Sequence, residues 1–381
     1  MFFNNIIGQS VVKEKLMLSV QHNRVSHAQL FLGPEGNGSL ALALAYAQFI
    51  NCEKKLENDS CGKCSSCIKA QKMIHPDIHF SFPVFKLKTG SENPALSSDF
   101  SKQWREAVVA NPYQNLNDWL EFISSDNKQG NISAEECRVM IHKLSLNTYE
   151  SKHKVMIIWL AEYLRKEGNI LLKLLEEPPA NTLLILIAEN REQVLNTILS
   201  RCQIIAIPRI DDNDLLDDLM MKHNLNLEAA NKILRQSQGN YREALRLIVN
   251  TEEDEPEILK RWMRLLIDKK SSVELVKWVE EISRAGREKQ KQFLRYTLEF
   301  IRECIVMHYS GEAISNLYDE EKKMAAYLLQ RLKTEEWKII DERIEQSHYH
   351  IERNASPKIL FMNLSLQIQN IISAKKLSLA S

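Results

Sequence analysis

The sequence predicts an α/β domain on a mainly parallel sheet, followed by small and larger all-helical parts. Three observations predict this. The apolar run Ala28-Gln29-Leu30-Phe31-Leu32 leads into Gly33-Pro34-Glu35-Gly36-Asn37-Gly38-Ser39-Leu40 and a helix-forming stretch at 41–50. That is the strand–glycine loop–helix order of the phosphate loop G-x-x-x-x-G-K-[ST]. Short apolar runs at 29–32, 78–83, 155–160, 183–188 and 203–207 read as buried strands with helical patterns between them. Such alternation implies parallel strands joined by right-handed crossovers and covered on both faces. After Pro208 the strand signals stop.

The elements follow in order. Helical patterns occupy 133–146 and 169–177, the latter stopped by Pro178-Pro179. The polar stretch 86–131, with Gly90, Pro94 and Pro112, interrupts the rhythm and reads as a surface insertion with one or two helices of its own. Residues 211–250 read as a small helical domain, and Thr251-Glu252-Glu253-Asp254-Glu255-Pro256 as an acidic linker. Everything from 258 onward looks helical. Ser356-Pro357 opens the last helix with a capping serine and a proline at its first position. Phe361, Leu364, Ile368, Ile371 and Ile372 then fall on one face.

With 381 residues, two or three domains are expected. Fifty basic and fifty acidic residues leave no net charge, so there is no chain-wide attraction for nucleic acid. No apolar run approaches membrane-spanning length, and Met1-Phe2-Phe3-Asn4-Asn5 lacks the basic and apolar regions of a signal peptide. A cytoplasmic protein with no membrane partner is expected.

Ser39 stands where the phosphate-binding lysine should be, and Leu40 where the magnesium-binding hydroxyl should be. The strand 155–160 occupies the place of the acidic magnesium-organising strand, yet it ends in Trp159 and Leu160; Glu162 is out of register. Two losses in one site predict a degenerate nucleotide loop, Gly33, Gly36, Gly38 and Ser39, that neither binds nor hydrolyses ATP. Its backbone amides could still hold a phosphate or sulfate weakly at the helix start. Cys52, Cys61, Cys64 and Cys67 form C-x8-C-x2-C-x2-C. Four thiolates at that spacing suit structural zinc, and the proline that follows the last ferredoxin-type cysteine is missing after Cys67. Cys137, Cys202 and Cys304 are isolated and expected in the core. Glu176 and Glu177 sit at the negative end of a helix dipole, where either a solvated helix end or a partner contact would place them.

Taken together, Ile6-Ile7-Gly8-Gln9, Ser26-His27-Ala28, the four cysteines, His75-Pro76-Asp77, Leu174-Leu175-Glu176-Glu177-Pro178-Pro179, Ser200-Arg201-Cys202, Gly239-Asn240-Tyr241-Arg242-Glu243-Ala244-Leu245 and Asn354-Ala355-Ser356-Pro357-Lys358 resemble the delta-prime family of bacterial DNA polymerase III clamp-loader subunits, within the AAA+ class. The resemblance implies three domains. Residues 1–207 would form the AAA+ module, with a zinc module at about 52–75 and the insertion at about 86–131. A helical lid would span 208–250 and a helical collar 251–381. It implies a non-hydrolysing stator in a ring with gamma/tau motor subunits and a clamp-opening delta subunit, acting on the sliding clamp and primed DNA. Arg201 would reach a neighbour's ATP as an arginine finger. Arg242, with no nucleotide beneath it, is expected to be a lid-surface residue.

Two alternatives come from other classes. A motor subunit of the same machine should retain G-K-[ST] and acidic residues at 159–160, and this chain retains neither. A zinc-dependent nucleic-acid-binding module should carry a basic, aromatic-bearing surface around the cysteines. Lys54, Lys55 and Lys63 are there, but so are Glu53, Glu57 and Asp59, and no aromatic lies between Cys52 and Cys67.

Overall fold

The computed structural model describes residues 1–85, 94–124, 129–249, 255–267, 272–310, 317, 319–353 and 355–373. The chain divides into two compact units, Met1–Val249 and Asn250–Ser381.

The first unit is built on five strands, β1 (Ala28–Leu32), β2 (Ile78–Ser81), β3 (Lys154–Trp159), β4 (Thr182–Ala188) and β5 (Gln203–Ala206). All pairings are parallel and the order is β2-β3-β4-β1-β5, so β4 separates the loop strand from β3. Every residue of β3 and β4 is buried, which explains their unbroken apolar character. Alternate residues serve opposite faces. Phe31, Ile157 and Ile185 join one core, whereas Leu30, Met156 and Leu186 join the other. The helices of this unit are α1 (Ser10–Gln21), α2 (Ser39–Asn51), α3 (Ser65–Gln71), α4 (Ser101–Ala110), α5 (Leu116–Ile123), α6 (Ala134–Ser145), α7 (Leu172–Glu176), α8 (Asn196–Leu199), α9 (Asp212–Lys222), α10 (Leu227–Ser237) and α11 (Tyr241–Val249).

Lys154 is buried at the start of β3 because its ammonium donates to the carbonyls of Leu144 and Leu146 at the end of α6. A cation there also suits the helix dipole. The strand expected at 78–83 stops at Ser81. Phe82 turns into an aromatic cluster, and Pro83, which has no N–H, lends its carbonyl to Trp119 Nε1 at 2.9 Å. The run 203–207 was expected to be buried. β5 lies instead at the sheet edge, with Gln203, Ile204 and Ala206 exposed. The helix expected at 169–177 is α-helical only over Leu172–Glu176, and 3-10 turns precede it.

The polar-looking insertion is not a surface appendage. Its base is closed by an isolated antiparallel bridge between Val84 and Asn131. From it Phe100, Trp104 and Trp119 are buried, and Trp104 stacks on Phe82 at 4.0 Å and meets Trp159 at 5.0 Å. The amide of Ser97 donates to the buried carboxylate of Glu136 on α6 at 2.9 Å. Residues 86–93 and 125–128 of this stretch lie outside the described residues.

The second unit contains α12 (Glu255–Ile267), α13 (Ser272–Arg284), α14 (Arg287–Ser310), α15 (Asp319–Leu329), α16 (Thr334–Glu352) and α17 (Pro357–Ser373). Trp262 and Trp278 stack at 5.4 Å, beside Phe293 and Phe361. Trp262 Nε1 donates to Ser365 Oγ at 2.9 Å. Of the acidic linker, 251–254 lie outside the described residues, and Glu255 already opens α12. On α17, Phe361, Leu364, Ile368 and Ile372 are buried, with Ile371 packed against them.

Candidate functional site

The glycine loop joins β1 to α2, and the side chain of Asn37 within it takes the amide of Ser39 at the start of α2. Asn37 Oδ1 accepts from the Ser39 amide at 3.0 Å and from Ser39 Oγ at 2.7 Å, and Asn37 Nδ2 donates to the Ile207 carbonyl at 3.0 Å. An amide that opens α2, the sort that would face a phosphate, is thus satisfied by a side chain of the loop. Leu40 is buried, as an apolar residue at that position should be. Gln9 Nε2 donates to the carbonyls of Asn37, at 3.2 Å, and Pro208, at 2.8 Å. The Ile6–Gln9 segment is thereby tied to both the loop and the start of the helices after the sheet.

Those helices close over the loop. The Tyr241 amide donates to the Gly36 carbonyl at 3.1 Å, and Asn240 Nδ2 donates to Glu35 Oε1 at 3.2 Å. Gly36, at φ +73°, has no room for a side chain: a Cβ would stand 1.8 Å from Asn240 Oδ1. Arg242 is buried, which corrects its expected place on the lid surface. Its Nε and Nη2 grip the carboxylate of Asp118 at 2.8 and 2.6 Å, and Nη1 lies 3.5 Å from Glu35 Oε1. Burial of this guanidinium is tolerable because a bidentate carboxylate partner is present.

On the neighbouring strand, Trp159 is buried against Trp104, and Leu160 is buried with φ +58°. Glu162 accepts the Glu189 amide at 3.0 Å, joining the ends of β3 and β4. Burial raises its pKa, and the surrounding amides offset this only in part. It is a buried structural carboxylate.

Arg201 follows α8 and is about one-third exposed. Its Nε donates to Glu176 Oε1 at 2.5 Å, and its Nη1 donates to the Thr197 carbonyl at 3.0 Å and to Ser200 Oγ at 3.2 Å. The structure therefore joins two stretches that sequence analysis singled out separately. Glu176 holds the guanidinium at the surface while Glu177 stays exposed. Nearby, His27 Nε2 is 2.9 Å from the Leu175 carbonyl, which ties the start of β1 to the end of α7.

Cys52 ends α2, Cys64 caps α3, and Cys67 lies on α3. The sulfurs of Cys52, Cys61, Cys64 and Cys67 all lie within 4.8 Å of one another and could hold a metal ion. A tetrahedral site with bonds of about 2.3 Å needs sulfurs about 3.8 Å apart; Cys61 and Cys67 are 3.9 Å apart. The amides of Cys61, Cys64 and Cys67 donate to Cys52, Cys61 and Cys64 sulfurs at 3.3, 3.4 and 3.4 Å. The Lys63 amide, with lesser help from that of Cys64, brings the Cys61 thiol down to about 6, whereas burial raises Cys67. Cys137 and Cys304 are buried elsewhere, and Cys202 is half-buried.

Sequence reasoning gave His75-Pro76-Asp77 no physical role. Asp77 accepts the amides of Tyr149, Glu150 and Ser151 at 2.6, 2.9 and 2.8 Å. His75 Nε2 lies 3.1 Å from Ser66 Oγ and 2.9 Å from Ser151 Oγ, binding α3 to the loop before β3.

A parallel sheet with a glycine loop after its first strand, β1, overlaid by a small helical bundle, defines an AAA+-type P-loop module. The model of the family described as "DNA polymerase III, delta subunit" matches residues 8–211, and the chain belongs to that family. Among curated relatives, the chain is 26% identical over 250 residues to DNA polymerase III subunit gamma of Buchnera aphidicola, covering 64% of this chain and 56% of that protein. It is 27% identical over 247 residues to DNA polymerase III subunit delta' of Bacillus subtilis, covering 64% and 60%. Subunit tau of Bacillus subtilis is 25% identical over 271 residues, covering 70% and 40%. The chain thus spans roughly half the length of these relatives. Among the described residues, no helix is long and apolar enough to cross a membrane.

Proposed function

We propose that this chain is the non-hydrolysing stator of a bacterial clamp loader, the delta-prime position, and that it helps place the sliding clamp on primed DNA. The observation that carries this reading is the nucleotide loop. Ser39 and Leu40 replace its lysine and hydroxyl, Trp159 and Leu160 replace the acids, and the loop is covered by Asn240 and Tyr241. A motor subunit needs those groups to hold magnesium and phosphate. In this reading 1–207 is the AAA+ module, 208–250 the lid and 251–381 the collar through which motor and clamp-opening subunits assemble.

Arg201 then acts in trans. A guanidinium placed against a neighbour's bound ATP would stabilise charge on the transferred phosphoryl group. Glu176 supports the role by holding that guanidinium at the surface. The four cysteines hold one structural zinc, and their donor set leaves no open ligand position for chemistry.

Two measurements test the proposal. The purified chain should hydrolyse no ATP; turnover that co-purifies with the chain and is lost on Ser39→Ala would exclude a stator. In a ring reconstituted with motor and clamp-opening subunits, Arg201→Ala should leave assembly intact and lower clamp- and DNA-stimulated hydrolysis by about the share of one ATP site. A finger contributes about a thousandfold at its own site, but the other sites keep theirs. Arg201→Lys should rescue poorly, because an ammonium lacks the planar fork. Normal ring hydrolysis together with a lowered melting temperature of the isolated Arg201→Ala chain would make Arg201 a structural residue.

A further inference from the structure

The insertion supplies, from within the chain, the contacts that a nucleotide would make between the loop and the helices above it. Tyr113 lies over Gly38, where a Cβ would stand 3.0 Å from its ring, and its ring meets Tyr241 of α11 at 4.7 Å. Its hydroxyl accepts the Ile7 amide at 3.2 Å. Asn115 Nδ2 donates to Glu35 Oε2 on the loop at 3.1 Å. Asp118 gives Arg242 an anionic, bidentate pair of oxygens, such as a phosphate would otherwise present. Asp118 is itself fixed by a reciprocal capping pair with Asn115, at 3.1 and 2.9 Å. Trp104 packs on Trp159, where an acid would have organised magnesium.

We propose that residues 94–124 act as a built-in substitute for nucleotide, filling the site above the glycine loop and locking α11 over it. Glu35 and Asp118 both engage Arg242, so a phosphate anion entering this space would have to displace a carboxylate to reach the guanidinium. The consequence is a module whose lid position does not depend on ATP. This inference rests on reading the glycine loop as a lost nucleotide site and is independent of clamp loading, because its test uses the isolated full-length chain.

Hydrogen exchange followed by mass spectrometry, with and without millimolar MgATP, tests it. In the wild-type chain, MgATP should leave exchange over 33–42 and 241–249 unchanged, and a fluorescent ATP analogue should not bind. Asp118→Ala or Tyr113→Ala should speed exchange over 241–249 about tenfold or more, with β3 and β4 unaffected. Asp118→Asn and Tyr113→Phe keep the packing and remove only the charge or the hydroxyl; they should give a smaller increase in the same segment and serve if the alanine variants do not fold. Unchanged lid exchange in Asp118→Asn and Tyr113→Phe, or protection of the wild-type loop by MgATP, would overturn the proposal.

Discussion

Asp77 and Glu162 are both buried carboxylates, and their surroundings drive them in opposite directions. For Asp77, burial works to raise the pKa, but three amides outweigh it and hold the carboxyl below its ordinary value. A lowered folded pKa contributes stability above the unfolded value and loses it as pH falls through the folded one. Asp77→Asn should therefore cost about 2 kcal/mol or more at pH 7, and the gap in melting temperature from wild type should narrow below about pH 4. A gap that is flat from pH 7 to 3 would mean the charge is not the cause. For Glu162 the raised pKa means that ionisation opposes folding at neutral pH. Glu162→Gln keeps an oxygen for the Glu189 amide, so it should leave the pH 7 melting temperature equal or higher. Its advantage should shrink as pH falls toward the folded pKa. Neither role was legible in the sequence, because the partners Tyr149–Ser151 and Glu189 lie tens of residues away.

At the scale of elements, the cysteine module joins the end of α2 to α3, and His75 continues the connection to the loop before β3. Removing a structural metal from such a site should loosen what it joins. We expect one zinc per chain, and chelation should raise hydrogen exchange over 52–75 while leaving β1 and β4 protected. Iron with visible charge-transfer absorption would contradict this. The cysteine spacing made the cluster readable, since short-range turns alone bring those sulfurs together. Unbroken apolar runs made β1, β3 and β4 readable for a similar local reason. The insertion was misread as surface because Phe100, Trp104 and Trp119 are scattered among polar residues, and only folding gathers Trp104 and Trp119 on Phe82 and Phe100 on Trp119. β5 was misread as buried because an apolar strand at a sheet edge has the same local pattern as a central one. Trp119 is fully buried and hydrogen-bonded to Pro83. Trp119→Ala should cost about 3–5 kcal/mol, measured by denaturant unfolding of the full chain. A loss under about 1 kcal/mol would return the insertion to the surface.

For the whole molecule, the sheet unit and the C-terminal unit each have their own hydrophobic core, with no residue shared among the described residues. The first is organised by a buried parallel sheet, and the second by helices packed around Trp262, Trp278, Phe293 and Phe361. Separate cores give separate cooperative units when the apolar burial that drives each transition lies within one unit. Calorimetry of the full chain should therefore show two unfolding transitions instead of one. Hydrogen exchange on heating should assign one to 1–249 and the other to 255–373. Three variants then divide by unit. Trp119→Ala and metal chelation should lower only the transition of the first, and Trp262→Ala only that of the second. Arg201→Ala, on the surface, should move neither. A single transition shifted alike by Trp119→Ala, chelation and Trp262→Ala would show that the two cores unfold as one.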